Sequence, residues 1–388
     1  MKKVVAHFIR KNTQLRSSFI QNQILHHIDY KPVIIYRYFS KKNDGGFAEF
    51  PRTNISILDL SKNKKLDINF RYLKKLGSKD VSRVLDFLNE HNVSVLHFHY
   101  GSDAYIYTDV MKLSKRPSVI SFYGYDASSF KSFLLGQGKK MLRQVFYYAT
   151  CILAMSPDMK NDLLEAGCPV EKIMVHYYGS DIQRFYMTRN YGDKDIIKFV
   201  IISGIEPQKG HIFLLKAFRE AHERKKNIRL EIYGDGSIKN KVIEFVQKNQ
   251  MSDFVDFKGK VVYASQEHLT ILKNSDVFIH PSVVAVNGDK EGIPGAIVEA
   301  MAAGLPIIST FHAGIPYIIE NYKTGILVDE WDIKSLADAI IKLAENSELR
   351  KKLGVEAQNY AFKNLDLLKK EKDLENIYNN LVKDCYDQ

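Results

Sequence analysis

The 388-residue chain has only three cysteines, Cys151, Cys168 and Cys385, and no Cys-x-x-Cys pair. So few, scattered and odd in number, they exclude a disulfide framework and a zinc ribbon and suit a reducing cytoplasm. No apolar run approaches the ~18 residues that a membrane-spanning helix requires. The opening MKKVVAHFIR turns polar too early for a secretory signal, and its apolar residues read as a first core strand. Short repeats and low-complexity stretches are also missing. YGDGS (233–237) has too few glycines for a dinucleotide fingerprint. Asp193-Lys194-Asp195 has the look of an acidic metal site but falls away from any core strand end. His97 and His99 alternate on one strand face without an evident third ligand, and read as core or edge histidines. Neither a metal nor a cofactor is expected.

The apolar share of 45%, with 12% aromatics, can build real cores. The length exceeds the usual single-core limit, so two domains are expected. The net charge of +11 is unevenly placed: residues 1–180 hold 27 Lys and Arg against 15 Asp and Glu, and the remainder is nearly balanced. That first half should face something anionic, such as nucleic acid, an acidic membrane face or an acidic or lipid-phosphate substrate. Lys62, Lys64, Lys65, Lys74, Lys75 and Lys79, interleaved with Phe70, Tyr72 and Leu73, suit a helix lying on an anionic surface or simply in solvent.

Short β-branched runs alternate with stretches of helical spacing. VVAHF, VIIYR (33–37), VSVLHF (93–98), SVISF (118–122) and TCILAM (150–155) read as one series of strands. A second comprises IIKFVIISG (196–204), LEIYG (230–234), FVDFKG (254–259), DVFIH (276–280), PIIST (306–310) and GILV (325–328). This βαβα rhythm predicts two doubly wound parallel-sheet domains, over 1–180 and 181–364, with Gly179 to Asp195 as the linker and a C-terminal helix over 365–388.

The most informative stretch is DVFIHPSVVAVNGDKEGIPGAIVEAMAAGLPIIST (276–310). A buried strand ends at His280-Pro281-Ser282, a polar loop follows, and Glu291-Gly292-Ile293-Pro294 opens a helix with Pro294 at its first position. Gly292 and Gly295 let backbone approach a ligand closely. The helix N-terminus offers free N–H groups and a positive dipole end to an anion such as a diphosphate. Glu299 lies seven residues beyond Glu291's successor, inside an apolar helix, where a carboxylate needs a partner. Both glutamates suit adjacent hydroxyls of a ribose or hexose.

This pattern, Glu, seven residues, Glu inside EGIPGAIVEAMAAGLPII, resembles the donor-site signature of retaining GT-B glycosyltransferases of family 4. STFHAGIPYIIENYKTGILV (309–328), YGDGS, AGCPVEKI (166–173) and GSDIQRF (179–185) fall in that family's order. SSFIQNQI (17–24), HFHYG (97–101) and FYGYD (122–126) resemble its exopolysaccharide and lipopolysaccharide subgroup. The resemblance implies two facing Rossmann-like domains with a cleft between them, the first acceptor-binding, the second donor-binding, and the last helix crossing back. It implies a cytoplasmic, metal-independent hexosyltransferase, free or peripheral at the inner membrane face, acting with a UDP- or GDP-sugar on a glycan or lipid-linked acceptor, without nucleic acid as partner. Glu299 would hold the ribose, Glu291 the transferred sugar, and Gly292, Ile293, Pro294 and Gly295 the sugar and phosphates. Lys209 in SGIEPQKG (203–210) would sit on the diphosphate, with Gly204 and Gly234 lining the nucleotide loops. Two positions depart from the pattern. Gly204 replaces the usual arginine, and Tyr123 replaces the histidine of H-G-x-D, whose Asp126 is kept. Two rival classes stay open: a sugar-nucleotide epimerase or hydrolase on the same fold, and a catalytically degenerate glycan- or nucleic-acid-binding protein.

Overall fold

A computed structural model of the chain describes residues 2–38, 54–61 and 75–386. Within the basic stretch, Lys62, Lys64, Lys65, Phe70, Tyr72, Leu73 and Lys74 lie outside the described residues. Among the described residues, no helix is long and apolar enough to cross a membrane.

The chain forms two compact units, Met1–Gly179 with Leu367–Gln388, and Ser180–Asp366. Among the described residues, the first is built on seven parallel strands: β1 (Lys3–Lys11), β2 (Tyr30–Tyr38), β3 (Ser56–Asp59), β4 (Val93–His99), β5 (Ser118–Ser121), β6 (Cys151–Ala154) and β7 (Ile173–Val175). Their order is β3-β2-β1-β4-β5-β6-β7. The central strands are buried continuously, as expected for a parallel sheet covered on both faces. Because side chains alternate, Phe8 and Phe98 stack at 4.3 Å on one face, while Val5, Val95 and Val119 face the other. The C-terminal helix, Leu367–Tyr386, lays Leu374, Tyr378 and Val382 on that second face. β3 and β7 escape the periodicity reading because four and three residues are too short to display an alternation.

The second unit has six parallel strands: β8 (Ile197–Ile202), β9 (Ile228–Tyr233), β10 (Val255–Gly259), β11 (Val277–His280), β12 (Ile307–Thr310) and β13 (Ile326–Val328). Their order, β10-β9-β8-β11-β12-β13, runs outward in one direction from β8 and in the other from β11. Loops leaving β8 and β11 therefore splay to opposite sides of one crevice at the C-terminal sheet edge, where doubly wound sheets bind ligands.

The stretch expected as a linker is instead fastened to this second unit. The Arg189 guanidinium donates to the carbonyls of Leu272, Ser275 and Ala303, and the Tyr191 hydroxyl donates to the Gly304 carbonyl at 2.7 Å. Lys194 pairs with Asp276 at 2.5 Å. Its glycines and aspartates hid long side chains that satisfy exposed backbone carbonyls.

Candidate functional site

The loop after β8 carries Lys209 at the end of a 3-10 turn, Pro207–Lys209, and the loop after β11 carries Glu291. They meet across the reversal in strand order: Lys209 Nζ lies 2.7 Å from Glu291 Oε2, both side chains largely buried. Backbone joins the loops as well, since Val283 N–H donates to the Gln208 carbonyl at 2.9 Å. Gly210 has φ +69° and no room for a Cβ, which would fall 1.9 Å from the Pro281 oxygen. Only glycine brings the two loops this close.

Glu291 is held from behind. Its N–H donates to His312 Nε2 at 3.1 Å, and His312 Nδ1 faces Glu330 Oε1 at 2.6 Å. Accepting at Nε2 fixes the His312 proton on Nδ1, aimed at Glu330. Glu330 also accepts from Val284 N–H at 2.7 Å, so one carboxylate pins the start and the end of the β11 loop. Burial works to raise Glu330, yet its bonds to His312 and Val284 bring it below the usual carboxylate range. Gly314 completes the support, because a Cβ there would fall 2.5 Å from the Gly292 oxygen.

The following helix spans Gly295–Ala302, and Pro294 occupies its cap position, one residue earlier than the sequence reading put it. Gly292, Ile293 and Pro294 are buried, and the first turn leaves N–H groups with no partner inside the helix. Glu299 points back along this helix: its Oε1 lies 3.5 Å from where a Gly295 Cβ would be. Both glutamates thus gather at the helix N-terminal end. Glu299 is only 7% exposed, and burial pushes its carboxyl up to about 8. Its nearest ring is His268, whose Nε2 sits 3.7 Å from Glu299 Oε2. His268 Nδ1 accepts from Ala264 N–H, and burial lowers the ring to about 4. Burial therefore favours a neutral imidazole beside a protonated carboxyl over an ion pair.

On the β8–β9 side, the backbone of Gly236 packs on that of Ile205, and Gly234, at φ +148°, packs on the Ser203 oxygen. Glu206 ties this shelf together by accepting from Ser237 N–H at 3.0 Å. Gly204 differs from these glycines, since a Cβ there would meet nothing nearer than 3.7 Å.

Tyr123 and Asp126 belong to the first unit, on the loop after β5. Asp126 is fully buried, and its two oxygens accept from the N–H groups of Tyr123, Gly124 and Gly101 at 3.0, 3.2 and 2.8 Å. Burial lifts its carboxyl to about 6 despite those bonds. Its observed work is to brace the Tyr123 loop. The Tyr123 hydroxyl meets His99 Nδ1 at 2.7 Å and Gln23 Oε1 at 3.2 Å. The third partner that the sequence lacked for His97 and His99 is His7, brought beside them by the β1–β4 register. Also absent from the sequence reading were His312, Glu330 and His268. A histidine in STFHAG beside the glutamate loop was visible, but its pairing is long-range.

Residues 187–360 match the family described as "Glycosyl transferases group 1", and residues 60–184 match "Glycosyltransferase Family 4". Among curated proteins, the putative colanic acid biosynthesis glycosyltransferase WcaL of Escherichia coli (strain K12) is 32% identical over 224 residues, 58% of this chain and 54% of WcaL. The amylovoran biosynthesis glycosyltransferase AmsK of Erwinia amylovora is 28% identical over 255 residues, 66% of this chain and 61% of AmsK. The matched region thus spans little more than half the length of these relatives. Among solved structures, Anabaena Alr3699/HepE in complex with UDP has a TM-score of 0.77 at 16% identity, covering 98% of this chain and 100% of that one. Sucrose-phosphate synthase from Thermosynechococcus elongatus has a TM-score of 0.74 at 13% identity, covering 98% and 99%. These likenesses carry the fold: two parallel-sheet, Rossmann-like units of the GT-B class. With both matched segments in the expected order, the chain belongs to the group 1, family 4 glycosyltransferases.

Proposed function

We propose that this chain transfers a sugar from a nucleoside-diphosphate sugar, UDP- or GDP-linked, to a glycan or lipid-linked acceptor in polysaccharide assembly, with retention at the anomeric carbon and without a metal. The observation that carries this reading is the Lys209–Glu291 pair at the reversal of the second sheet, with Glu299 at the same helix end. The printed names of WcaL and AmsK, and the UDP held by HepE, support it.

In this reading Glu299 accepts from the ribose hydroxyls and Glu291 from those of the transferred sugar. Lys209 and the first N–H groups of the Gly295–Ala302 helix hold the diphosphate. During transfer the bond from the anomeric carbon to the diphosphate oxygen breaks, and the acceptor oxygen bonds that carbon while its proton passes to the departing diphosphate. Charge gathers on the departing diphosphate, and in this reading Lys209 stabilises it. The basic first unit supplies a surface for an anionic acceptor or for the inner membrane face.

A thermal-shift panel of nucleoside diphosphates and their sugars tests the reading. A ligand at 100 times its dissociation constant adds about 2.7 kcal/mol of stability. Stabilisation by UDP or GDP, and acceptor-dependent consumption of one sugar nucleotide, are the expected results. Equal consumption without acceptor would make the chain a hydrolase or epimerase. No stabilisation by either nucleotide would leave a binding protein.

A further inference from the structure

The core of the first unit holds an unbroken line of polar side chains that the transfer chemistry does not use. His27 Nδ1 lies 2.5 Å from Glu371 Oε1 and 3.6 Å from Glu375 Oε1. The closer contact is an ion pair rather than an aligned hydrogen bond. On its other side, His27 Nε2 meets His7 Nε2 at 2.8 Å. His7 Nδ1 then meets His99 Nε2 at 2.9 Å, and His99 Nδ1 meets the Tyr123 hydroxyl at 2.7 Å. The Tyr123 hydroxyl lies 3.2 Å from Gln23 Oε1, which can only accept.

Each neutral imidazole has one N–H and one bare nitrogen, so a single proton position dictates all the others. If His27 carries hydrogen on Nε2, His7 must accept there and donate from Nδ1. His99 must then accept at Nε2 and donate from Nδ1 to the Tyr123 oxygen. Tyr123 then gives its proton to Gln23 Oε1 or to the Ser121 hydroxyl beside it. Every link is satisfied in that one direction. Two buried carboxylates beside Nδ1 favour this state, because they keep His27 charged with hydrogen on both nitrogens. Burial keeps His7 and His99 far below the usual histidine range, whereas Glu371 and Glu375 overcome burial to raise His27 to about 9. Should His27 lose its Nε2 proton, every donor and acceptor in the line reverses, and Tyr123 donates to His99.

We propose that His27, gripped by Glu371 and Glu375 of the C-terminal helix, sets the hydrogen-bonding polarity of Tyr123 through His7 and His99. These three histidines are positioning residues. In their settled direction the Tyr123 oxygen accepts from His99 and its proton is held by a protein partner, so it has none to offer a bound hydroxyl. His7, His97 and His99 also cluster closely enough to suggest a metal. However, His97 is engaged at both nitrogens, by Tyr378 and Ser121, and the rings of His7 and His99 are engaged by the line itself.

Nitrogen-15 NMR of histidine-labelled full-length protein reads the tautomers directly. Besides the two glutamates, the groups facing His27 are His7 from β1, Tyr30 from β2, and Tyr378 from the C-terminal helix; His97 and His99 of β4 add their fields. At pH 7 the expected pattern is Nδ1–H on both His7 and His99. Raising the pH of the wild-type protein through about 9 should convert both rings to Nε2–H together. Glu371→Gln should bring that conversion to lower pH. Nε2–H on His99 at pH 7, independent titration of the two rings, or stoichiometric binding of added Zn²⁺ to them would overturn the proposal. The kinetic consequence rests on the transferase reading: with a donor from the nucleotide panel, Glu371→Gln should raise one substrate's KM about five- to tenfold with kcat held. Failure to find any donor would sink that reading and leave the NMR result standing.

Discussion

Lys209 Nζ and Glu291 Oε2 lie 2.7 Å apart across the point where the strand order of the second sheet reverses. Each neutralises the other, so a diphosphate bound as proposed would draw Lys209 away from Glu291. The two residues should therefore respond oppositely to the same ligand. Lys209→Ala removes a charge-assisted contact and should weaken UDP or GDP binding roughly 10- to 100-fold. Glu291→Gln frees the lysine and should tighten the bare nucleotide up to about fivefold, while weakening its sugar conjugate. Calorimetric titration of both variants with nucleotide and nucleotide sugar checks the crossover. Parallel losses in both would remove the competition.

Glu299 should make nucleotide binding proton-linked. Burial raises its carboxyl from 4.5 to about 8. Between those values the folded protein keeps a proton that the unfolded chain has released, so this group's contribution to stability falls as pH rises from 4.5 to 8. Ribose hydroxyls donating to Glu299 favour its ionised form. At pH 7 binding should expel close to one proton, and at pH 9 none. Titration heats measured in buffers of different ionisation enthalpy report that number. Glu299→Ala should abolish nucleotide stabilisation and leave the fold intact; heats independent of buffer at pH 7 would contradict the ribose assignment.

The glycines of the site should separate sharply. Gly210→Ala places a Cβ 1.9 Å from the Pro281 oxygen at φ +69°. It should cost about 2 kcal/mol or more and disturb Lys209 beside it. Gly204→Ala meets only ordinary contacts and should stay within about 0.5 kcal/mol of wild type. Thermal melting of the two variants makes the comparison.

Arg189 offers a test of the segment that joins the units in sequence. If it were a free connector, truncation would be neutral. Its guanidinium instead satisfies the carbonyls of Leu272, Ser275 and Ala303, so Arg189→Ala should destabilise the second unit by about 2–4 kcal/mol. Trp331, the sole tryptophan, lies in that unit, and its fluorescence during urea unfolding isolates the effect.

How much of this could be read in advance followed the reach of each interaction. The strands of the second unit were legible because each is a short β-branched run bounded by glycine or proline, a signal contained within a few residues. The glutamate pair was legible for the same reason, since loop, proline, glycines and both carboxylates fall within one stretch. Arg189 and His312 were not, because their partners lie 83 and 18 residues away, respectively. The histidine line needed β1 and β4 to be neighbours before His7 could meet His99. Pro294 was misplaced by one position because a helix boundary shifts by a residue or two with the hydrogen bonds that close its first turn.

The helix Leu367–Tyr386 finishes the first sheet's core with the last part of the chain. During synthesis, residues up to 179 leave the ribosome with the part of their sheet around Val5, Val95 and Val119 uncovered and His27 lacking its two carboxylates. The whole second unit, made of contiguous sequence, is complete before that part is covered. The second unit can therefore close before the first, and loss of residues 367–386 would strike the half of the molecule that was translated earliest.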